Sequence, residues 1–375
     1  MPKVYNWQIG REMEYPYEGA RPKKQFAMVM DLNKCIACQT CTVACKTSWT
    51  SGRGQEAMFW NNVETKPYGY YPLGWDVRVL EKLGVQDIGH GPYKGRTIFE
   101  AAEEGERALG YLPDDLDYAN PNLGEDDSTG LMGEGAYLQA PHSNWMFYLP
   151  RICNHCTYPA CLGSCPRQSI YKRQDDGIVL LDQSRCRGYR ECVRGCPYKK
   201  AFFNMMTRVS EKCIGCYPAV EQGRQTQCTI TCIGKIRLQG FISRPDMARE
   251  DNPIDYIVHV AKLARPLYPQ LGLEPNVYYI PPVHVPPSFL KQMFGADVED
   301  AVAGYRKVMN DPKLLGALLL FGATMTITHK YKVEGNQAIA FDASGAEIVR
   351  VPLREPIHLR PAFDAERKTH RTNIT

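Results

Sequence analysis

Fifteen cysteines gathered into four short runs leave this 375-residue chain little choice of chemistry. The runs read Cys35-x2-Cys38-x2-Cys41-x3-Cys45, Cys153-x2-Cys156-x4-Cys161-x3-Cys165-Pro166, Cys186-x2-Tyr189-x2-Cys192-x3-Cys196-Pro197 and Cys213-x2-Cys216-x11-Cys228-x3-Cys232. No cysteine lies between Cys45 and Cys153, and none follows Cys232. An odd number cannot pair completely into disulfides within one chain, and clustering of this kind belongs to metal proteins rather than to stapled secreted ones.

Three thiolates within about seven residues wrap one corner of an iron–sulfur cubane; a fourth, three residues on and often before proline, points away to a second cluster. That is the arrangement of bacterial ferredoxins. Short spacers such as Ile36-Ala37 and Ile214-Gly215 let the backbone turn tightly enough to offer N–H donors to cluster sulfides. Structural zinc uses two CxxC pairs with a longer spacer. The fourth run alone also suits zinc; the first three are too dense.

If runs two and three exchange their last cysteines, one set is Cys153, Cys156, Cys161 and Cys196, and another is Cys165, Cys186 and Cys192. The same rule across the long insertion joins Cys35, Cys38 and Cys41 to Cys232, and Cys213, Cys216 and Cys228 to Cys45. Tyr189 stands where the spacing demands a cysteine, as Cys38 does in run one. A phenol is a poor substitute for a thiolate. The expected cofactors are therefore three 4Fe–4S clusters and one 3Fe–4S cluster, the last on Cys165, Cys186 and Cys192. A complete 4Fe–4S cluster with tyrosinate or solvent as its fourth ligand is the alternative. Losing an iron alters cluster type and charge, both levers on a potential that spans about −700 to +450 mV. The expected direction is upward.

The runs sit among strand-like segments. Phe26–Asp31 and Ile178–Asp182 each place an aspartate four residues before the first cysteine of a run, Asp31 before Cys35 and Asp182 before Cys186. Ala201–Asn204 and Ile236–Ile242 read as closing strands. This repeat predicts an α+β fold of two ferredoxin-like modules with pseudo-twofold symmetry, one from residues 25–45 and 205–245, the other from 151–204. Residues 1–24 form an N-terminal extension. Residues 46–150 form a cysteine-free, loop-rich insertion, either a solvated loop or a partner-docking surface. Its middle is acidic (Asp114, Asp115, Asp117, Glu125, Asp126, Asp127). Residues 246–375 read as an irregular, helical C-terminal extension that also docks a partner. Helices are expected at Pro287–Phe294 and Val298–Met309. A meander of Lys330–Val333, Gln337–Phe341 and Glu347–Val351 follows, then a polar tail over 352–375.

Net charge is only +4, which gives no global field for nucleic acid. Leu314–Ile327 is apolar but shorter than the about 20 residues that span a bilayer, so a buried helix is expected there. Residues 1–24 show no apolar core of a secretory signal. Between Arg151 and Lys200, ten Lys/Arg face four Asp/Glu, either compensating anionic clusters or forming a docking patch. His155, inside run two, is read as a supporting neighbour of a cluster whose cysteine set is complete without it. The other histidines have no spacing that suggests a metal site.

Several stretches closely resemble the beta subunit of respiratory nitrate reductase and its relatives. They are Asp31-Leu-Asn-Lys-Cys-Ile-Ala-Cys38, Trp60-Asn-Asn-Val-Glu-Thr-Lys66, Cys186-Arg-Gly-Tyr-Arg-Glu-Cys192, Cys196-Pro-Tyr-Lys-Lys200, Glu211-Lys-Cys-Ile-Gly-Cys-Tyr-Pro218, Asn252-Pro-Ile-Asp-Tyr-Ile-Val-His259 and Glu274-Pro-Asn-Val-Tyr-Tyr-Ile-Pro281. Those relatives are the beta subunits of selenate, chlorate and perchlorate reductases and of dimethylsulfide, ethylbenzene and steroid C25 dehydrogenases. The resemblance implies a non-catalytic electron-transfer subunit of a heterotrimer. An alpha subunit carries a molybdenum cofactor, and a gamma subunit carries haem b. Four clusters lie in a line, with the 3Fe–4S centre nearest the haem. The nitrate reductases have tryptophan where Tyr189 stands. The aromatic leader, Tyr5 to Tyr17, is more similar to the soluble periplasmic branch, in which alpha and beta are exported together on the twin-arginine signal of alpha. Within that branch the expectation is an anaerobic hydrocarbon or steroid C–H hydroxylating dehydrogenase. The alternatives are a nitrate, selenate, chlorate or perchlorate reductase, with the nitrate form at the cytoplasmic face of the inner membrane. From a different class, the alternative is a self-sufficient iron–sulfur enzyme.

Overall fold

The computed structural model describes residues 1–19, 21–67, 71–118, 145–353, 363–364 and 369–370. Its organising element is the strand Gln25–Asp31, fully buried from Phe26 to Met30. A continuous apolar run is what a strand covered on both faces requires. Alternation still sorts the side chains: Phe26, Met28 and Met30 face one core, Ala27 and Val29 the other. The strand Arg237–Ile242 pairs with it antiparallel, and Val277–Ile280 pairs parallel on its other edge, with Arg265–Pro266 beyond. The register sets Arg237 opposite Met30. A guanidinium is thereby carried to the end of the sheet where the first cysteine run begins.

Around this sheet the chain is a mixed assembly of short helices and small two- and three-stranded sheets. Ile170–Lys172 pairs with Val179–Leu181, and Ala201–Asn204 with Val209–Lys212. The helix Pro287–Phe294 forms, Val298–Arg306 is followed by a 3-10 turn at Val308–Asn310, and the meander is Lys330–Glu334, Gln337–Phe341 and Glu347–Pro352. The apolar stretch after Lys313 yields a buried helix, Pro312–Leu319. Asp311 caps it, accepting from the N–H groups of Lys313 and Leu314 at 3.0 Å each, with Pro312 at its first position. Among the described residues no helix is long and apolar enough to cross a membrane.

Two spans are more deeply built in than their sequences suggest. Val277–Ile280, from the C-terminal extension, lies inside the main sheet. In the insertion, Val63, Tyr71, Trp75, Glu64, Lys66 and Asp76 are all buried, so this part is core and not a solvated loop. Its charges satisfy one another. Glu64 accepts from Arg151 Nε and Trp75 Nε1 at 2.8 Å each, Lys66 reaches Asp76 at 2.5 Å and Glu64 at 3.4 Å, and Tyr268 donates to Asp76 at 2.8 Å. Read as a string, Asn62–Lys66 looks polar; its burial depends on partners distant in sequence. Of the acidic middle, Asp117 pairs with Arg78 at 2.9 Å; Glu125, Asp126 and Asp127 lie outside the described residues, as does most of the tail.

Candidate metal centres

All four cysteine runs turn in the same way. The second residue after the first cysteine is left-handed in each: Ala37 at φ 53°, His155 at 42°, Gly188 at 69° and Gly215 at 62°. Such a residue tilts successive N–H groups into a concavity that receives anions. In the fourth run the Gly215 N–H donates to Cys213 sulfur at 3.3 Å; outside the turns, Ser169 N–H donates to Cys165 and Ser210 N–H to Cys186 at 3.4 Å. Runs one and three share more. Gln39 (φ 59°) and Arg190 (φ 61°) each precede a helix, Thr40–Trp49 and Glu191–Gly195. Upstream, Asp31 accepts from Asn33 N–H at 3.0 Å and Asp182 from Ser184 N–H at 2.9 Å, the same side-chain turn. Tyr189 thus occupies the backbone position of Cys38.

The turns bring the cysteines into four sets. Cys35, Cys38, Cys41 and Cys232 line one cavity. Packing of the helix Thr40–Trp49 on Gln227–Ile230 brings Cys45 to Cys228. Burial, then Cys228 and Cys216, push the Cys45 thiol up, and burial, then Cys153, Cys45 and Cys216, raise Cys213. Burial raises Cys156, helped by Cys153, Cys196 and Cys161. Cys165, Cys186 and Cys192 line a second cavity together with Tyr189. Burial pushes Cys192 to about 12, with Cys165 and Cys186 adding to it. Run four is therefore divided between two sets, which removes it as a self-contained zinc site.

Electrostatic influence between sets gives their order. The first and second share Arg237, which donates to Cys41 and feels the charge of both Cys41 and Cys228. Cys153 of the third raises Cys213 of the second. Cys196 of the third raises Cys192 of the fourth. The two ends differ from the middle: Cys38 is exposed, and Tyr189 is 62 % exposed at the fourth set.

Two further observations show that these sets suit iron–sulfur clusters. First, Lys199, Lys200, Lys212 and Arg237 are at most 3 % exposed, yet their donors go to neutral groups and sulfur. Lys199 bonds the carbonyls of Tyr111, Arg194 and Val193 at 2.6, 2.8 and 3.2 Å. Lys200 bonds the Phe59 carbonyl and Asn62, and Lys212 the carbonyls of Val179 and Cys213. Burying a lone cation costs several kcal/mol, so an anion must face each one. Cysteines are prominent among the anions they face: Cys196 beside Lys199, Cys45 and Cys213 near Lys200 after the Glu64 carboxylate, and Cys153, Cys161 and Cys213 near Lys212. Burial, helped by Arg194 and Lys82 and opposed by Cys196, pulls Lys199 down to about 7; at Lys212 the neighbouring thiolates outweigh burial and raise it.

Second, buried donors are left over beside the sets. Arg237 donates from Nη2 to Cys41 Sγ and Asn61 Oδ1 at 3.1 Å each, but its Nε and Nη1 have no partner among the described residues. His155 Nδ1 accepts from Val179 N–H at 3.0 Å, which places its proton on Nε2, also without a partner there. That nitrogen lies 3.3 Å from where a Cβ on Gly215 would sit, facing the turn of run four. Sulfides of a bound cluster supply acceptors for such donors. Among the described residues no three His, Cys, Asp or Glu side chains converge closely enough for a single ion. A cluster asks for something else, cysteines around a cavity that each take a different iron, as the linings of the first and fourth sets offer. Sequence reasoning passed over Arg237. Its signal was the one charge in the strand-like stretch Ile236–Ile242.

Comparison with known proteins agrees with this chemistry. Residues 144–241 match the family model described as a 4Fe-4S dicluster domain. The beta subunit of selenate reductase from Thauera selenatis is 42% identical over 308 residues, covering 75% of this chain and 90% of that protein. The beta subunit of chlorate reductase from Ideonella dechloratans is 43% identical over 310 residues, 75% and 90% of the two chains. The beta chain of respiratory nitrate reductase 1 from Escherichia coli (strain K12) is 32% identical over 356 residues, 70% of each. With its cysteines gathered into four sets and these relatives matched over 70–90% of their length, the chain belongs to the family of iron–sulfur, electron-transferring beta subunits of the respiratory nitrate, selenate, chlorate and perchlorate reductases and dimethylsulfide dehydrogenase.

Proposed function

We propose that the chain relays single electrons through four iron–sulfur clusters, between a molybdenum-cofactor alpha subunit and a haem b gamma subunit. Cys35, Cys38, Cys41 and Cys232 hold one 4Fe–4S cluster. Cys45, Cys213, Cys216 and Cys228 hold the second, and Cys153, Cys156, Cys161 and Cys196 the third. Cys165, Cys186 and Cys192 hold a 3Fe–4S cluster beside Tyr189, and the runs belong to two ferredoxin-like modules. The observation that carries this reading is the order of the sets. Charge on each set is felt at the next, no cysteine of the middle two is exposed, and the first and fourth reach the surface at Cys38 and Tyr189. The clusters supply the one-electron chemistry. The chain's own residues hold them in sequence, exclude water and place a cation at each junction.

Iron analysis of the purified chain is expected to give about 15 atoms, against about 16 for four complete cubanes. The oxidised protein is expected to show the paramagnetic signal of a 3Fe–4S centre; sixteen irons and a silent spectrum would overturn the assignment at Tyr189. Within the family, the aromatic leader from Tyr5 to Tyr17 supports a periplasmic complex exported with alpha; within that branch the holoenzyme proposed is one that hydroxylates a hydrocarbon or steroid C–H bond. An alpha partner without a twin-arginine leader would refute the location. Turnover of selenate or chlorate but of no hydrocarbon or steroid would refute the substrate class.

A further inference from the structure

We infer that the cleft lined by Lys24, Lys262, Gln8, Gln270 and Thr328 is a binding site for a phosphate ester of a polyol, the chemistry of a sugar phosphate or of a phosphoglycerol headgroup. The cleft has a volume of about 940 Å³, within the range of about 300–1,000 Å³ usual for small-molecule sites. No cysteine lines it, so it stands apart from the four sets, and the inference goes beyond the relay reading. Its walls come from stretches to which that reading gives no task. Asn252–His259 contributes Asn252, Val258 and His259, and Glu274–Pro281 contributes Glu274, Asn276 and Tyr278. Tyr256–Val260 is wound as a π-helix, a rare geometry that recurs at functional sites.

Its charge is unbalanced, with seven Lys/Arg in the lining against three Asp/Glu. All four arginines are already engaged. Arg21 pairs with Glu274 at 2.7 Å, Arg244 with Asp246 at 2.8 Å, Arg249 with Asp251 at 2.7 Å and Arg265 with Asp297 at 3.6 Å. Lys23, Lys24 and Lys262 are exposed and make no ion pair among the described residues, and Asp87 is the one lining acid left without a Lys or Arg there. Lys24 lies 5.7 Å from the Phe241 ring, which in turn lies 5.6 Å from the His329 ring. Arginine grips carboxylates through its fork, and those forks are taken. Lysine binds phosphate as a point charge, so the charge left over favours phosphate.

The rest of the lining asks for hydroxyl groups. Gln270 and Thr328 are each 2 % exposed. The Gln270 amide is oriented by its Nε2, which donates to the Gln292 carbonyl at 2.9 Å, and the Gln8 amide by its Nε2, which donates to the Pro275 carbonyl at 2.8 Å. Gln270 Oε1, Gln8 Oε1 and Thr328 Oγ1 are left buried with no partner among the described residues. Amide oxygens only accept, and so do the oxygens of an ionised phosphate. A phosphate alone cannot satisfy them; the O–H groups of a polyol can. Lysines outside and amide oxygens within therefore call for the two halves of one molecule, and Trp7, Ile242 and Phe294 supply apolar wall for its carbon skeleton.

The test is isothermal titration calorimetry on the full chain in complex with its catalytic subunit. The probes are glucose 6-phosphate, short-chain dihexanoylphosphatidylglycerol, ethyl phosphate and inorganic phosphate. Saturable binding of glucose 6-phosphate or of the lipid is expected, and the tighter of the two identifies the source. Ethyl phosphate and inorganic phosphate, which lack the polyol, are expected to bind at least about tenfold more weakly. The double variant Lys24→Glu/Lys262→Glu is expected to weaken the tighter probe about tenfold or more. Lys82→Glu/Lys307→Glu, which alters net charge equally outside the cleft, is expected to leave it unchanged. No saturable binding of either polyol ester would overturn the inference. So would equal affinity for inorganic phosphate, which would mark an adventitious ion only, and equal weakening by both doubles. Binding to the isolated chain but not to the complex would give the cleft to the catalytic subunit and overturn it as well.

Discussion

Arg237 offers the sharpest test of how this chain sets its potentials. It is fully buried, donates to Cys41 Sγ at 3.1 Å and keeps two donor nitrogens unspent beside the first and second sets. Burial works to lower its pKa, and Cys41, Cys228, Cys232 and Cys35 outweigh burial and raise it, so the cation is firmly retained. Reduction adds negative charge to a cluster, and a fixed cation favours that state. A hydrogen bond to a charged group contributes about 1.5–3 kcal/mol. At about 59 mV per 1.4 kcal/mol for one electron, Arg237→Met is expected to lower the first cluster's potential by about 60–130 mV. The second cluster, which feels only the field, is expected to shift less. Arg237→Lys keeps charge without the fork and is expected to recover part of the shift. The assay is a redox titration followed by electron paramagnetic resonance, with iron content measured on each variant. Unchanged potentials in a Met variant that retains its iron would refute the reasoning. If the Met variant loses the first cluster, the Lys variant decides: a potential identical to the parent's would show that the directed donors contribute nothing.

Tyr189→Cys is expected to add one iron per chain, abolish the oxidised paramagnetic signal and lower the fourth set's potential. The backbone needs no change, since Gly188 and Arg190 at φ 69° and 61° match Ala37 and Gln39 at 53° and 59°; an unaltered iron count would refute it. Glu64→Gln leaves Arg151 and Lys66 with too little negative charge in a buried network, and is expected to cost about 3–5 kcal/mol, read as a lower urea midpoint. A midpoint equal to the parent's would show the network is dispensable. At Asp76, burial works to raise the carboxyl, but Lys66, Tyr268 and Arg151 prevail and hold it below the usual range. Its stabilisation is then fully present above the ordinary aspartate pKa of about 3.9 and lost as pH falls through the depressed folded value. Asp76→Asn is expected to be less stable at neutral pH and to flatten the acid limb below about pH 4; identical acid limbs would contradict this.

What was legible in the sequence was local. Cysteine spacing is a property of a few consecutive residues, and so is the turn that the spacing demands. Strands such as Gln25–Asp31 and helices such as Pro287–Phe294 were readable because a continuous apolar run or a Pro-initiated amphipathic stretch carries its own signal. The aspartates before Cys35 and Cys186 were visible as a repeat; their turns to Asn33 and Ser184 supply the reason. The burial of Asn62–Lys66 was not readable. Glu64 and Lys66 are core residues only because Arg151, Trp75, Asp76 and Tyr268 arrive from elsewhere.

Charge shows most clearly what a string of letters conceals. Counting ten cations against four acids between Arg151 and Lys200 left two explanations, compensation and docking, that look alike in sequence. In three dimensions they are separate populations. A buried cation costs several kcal/mol unless an anion faces it, so Lys199 and Lys200 tie this segment to anionic sets that share their interior. An exposed arginine costs little and acts through water over about 10 Å at 0.1 M salt, so Arg167, Arg185 and Arg187 need no anion from the interior. The same residue types thus serve two ends, and depth alone decides which. Because depth is set by contacts such as Tyr111 on Lys199 and Asn62 on Lys200, residues of the insertion fix the electrostatics of cysteines far from them in sequence. Loss of the insertion's packing is therefore expected to disturb cluster potentials before it disturbs cluster ligation.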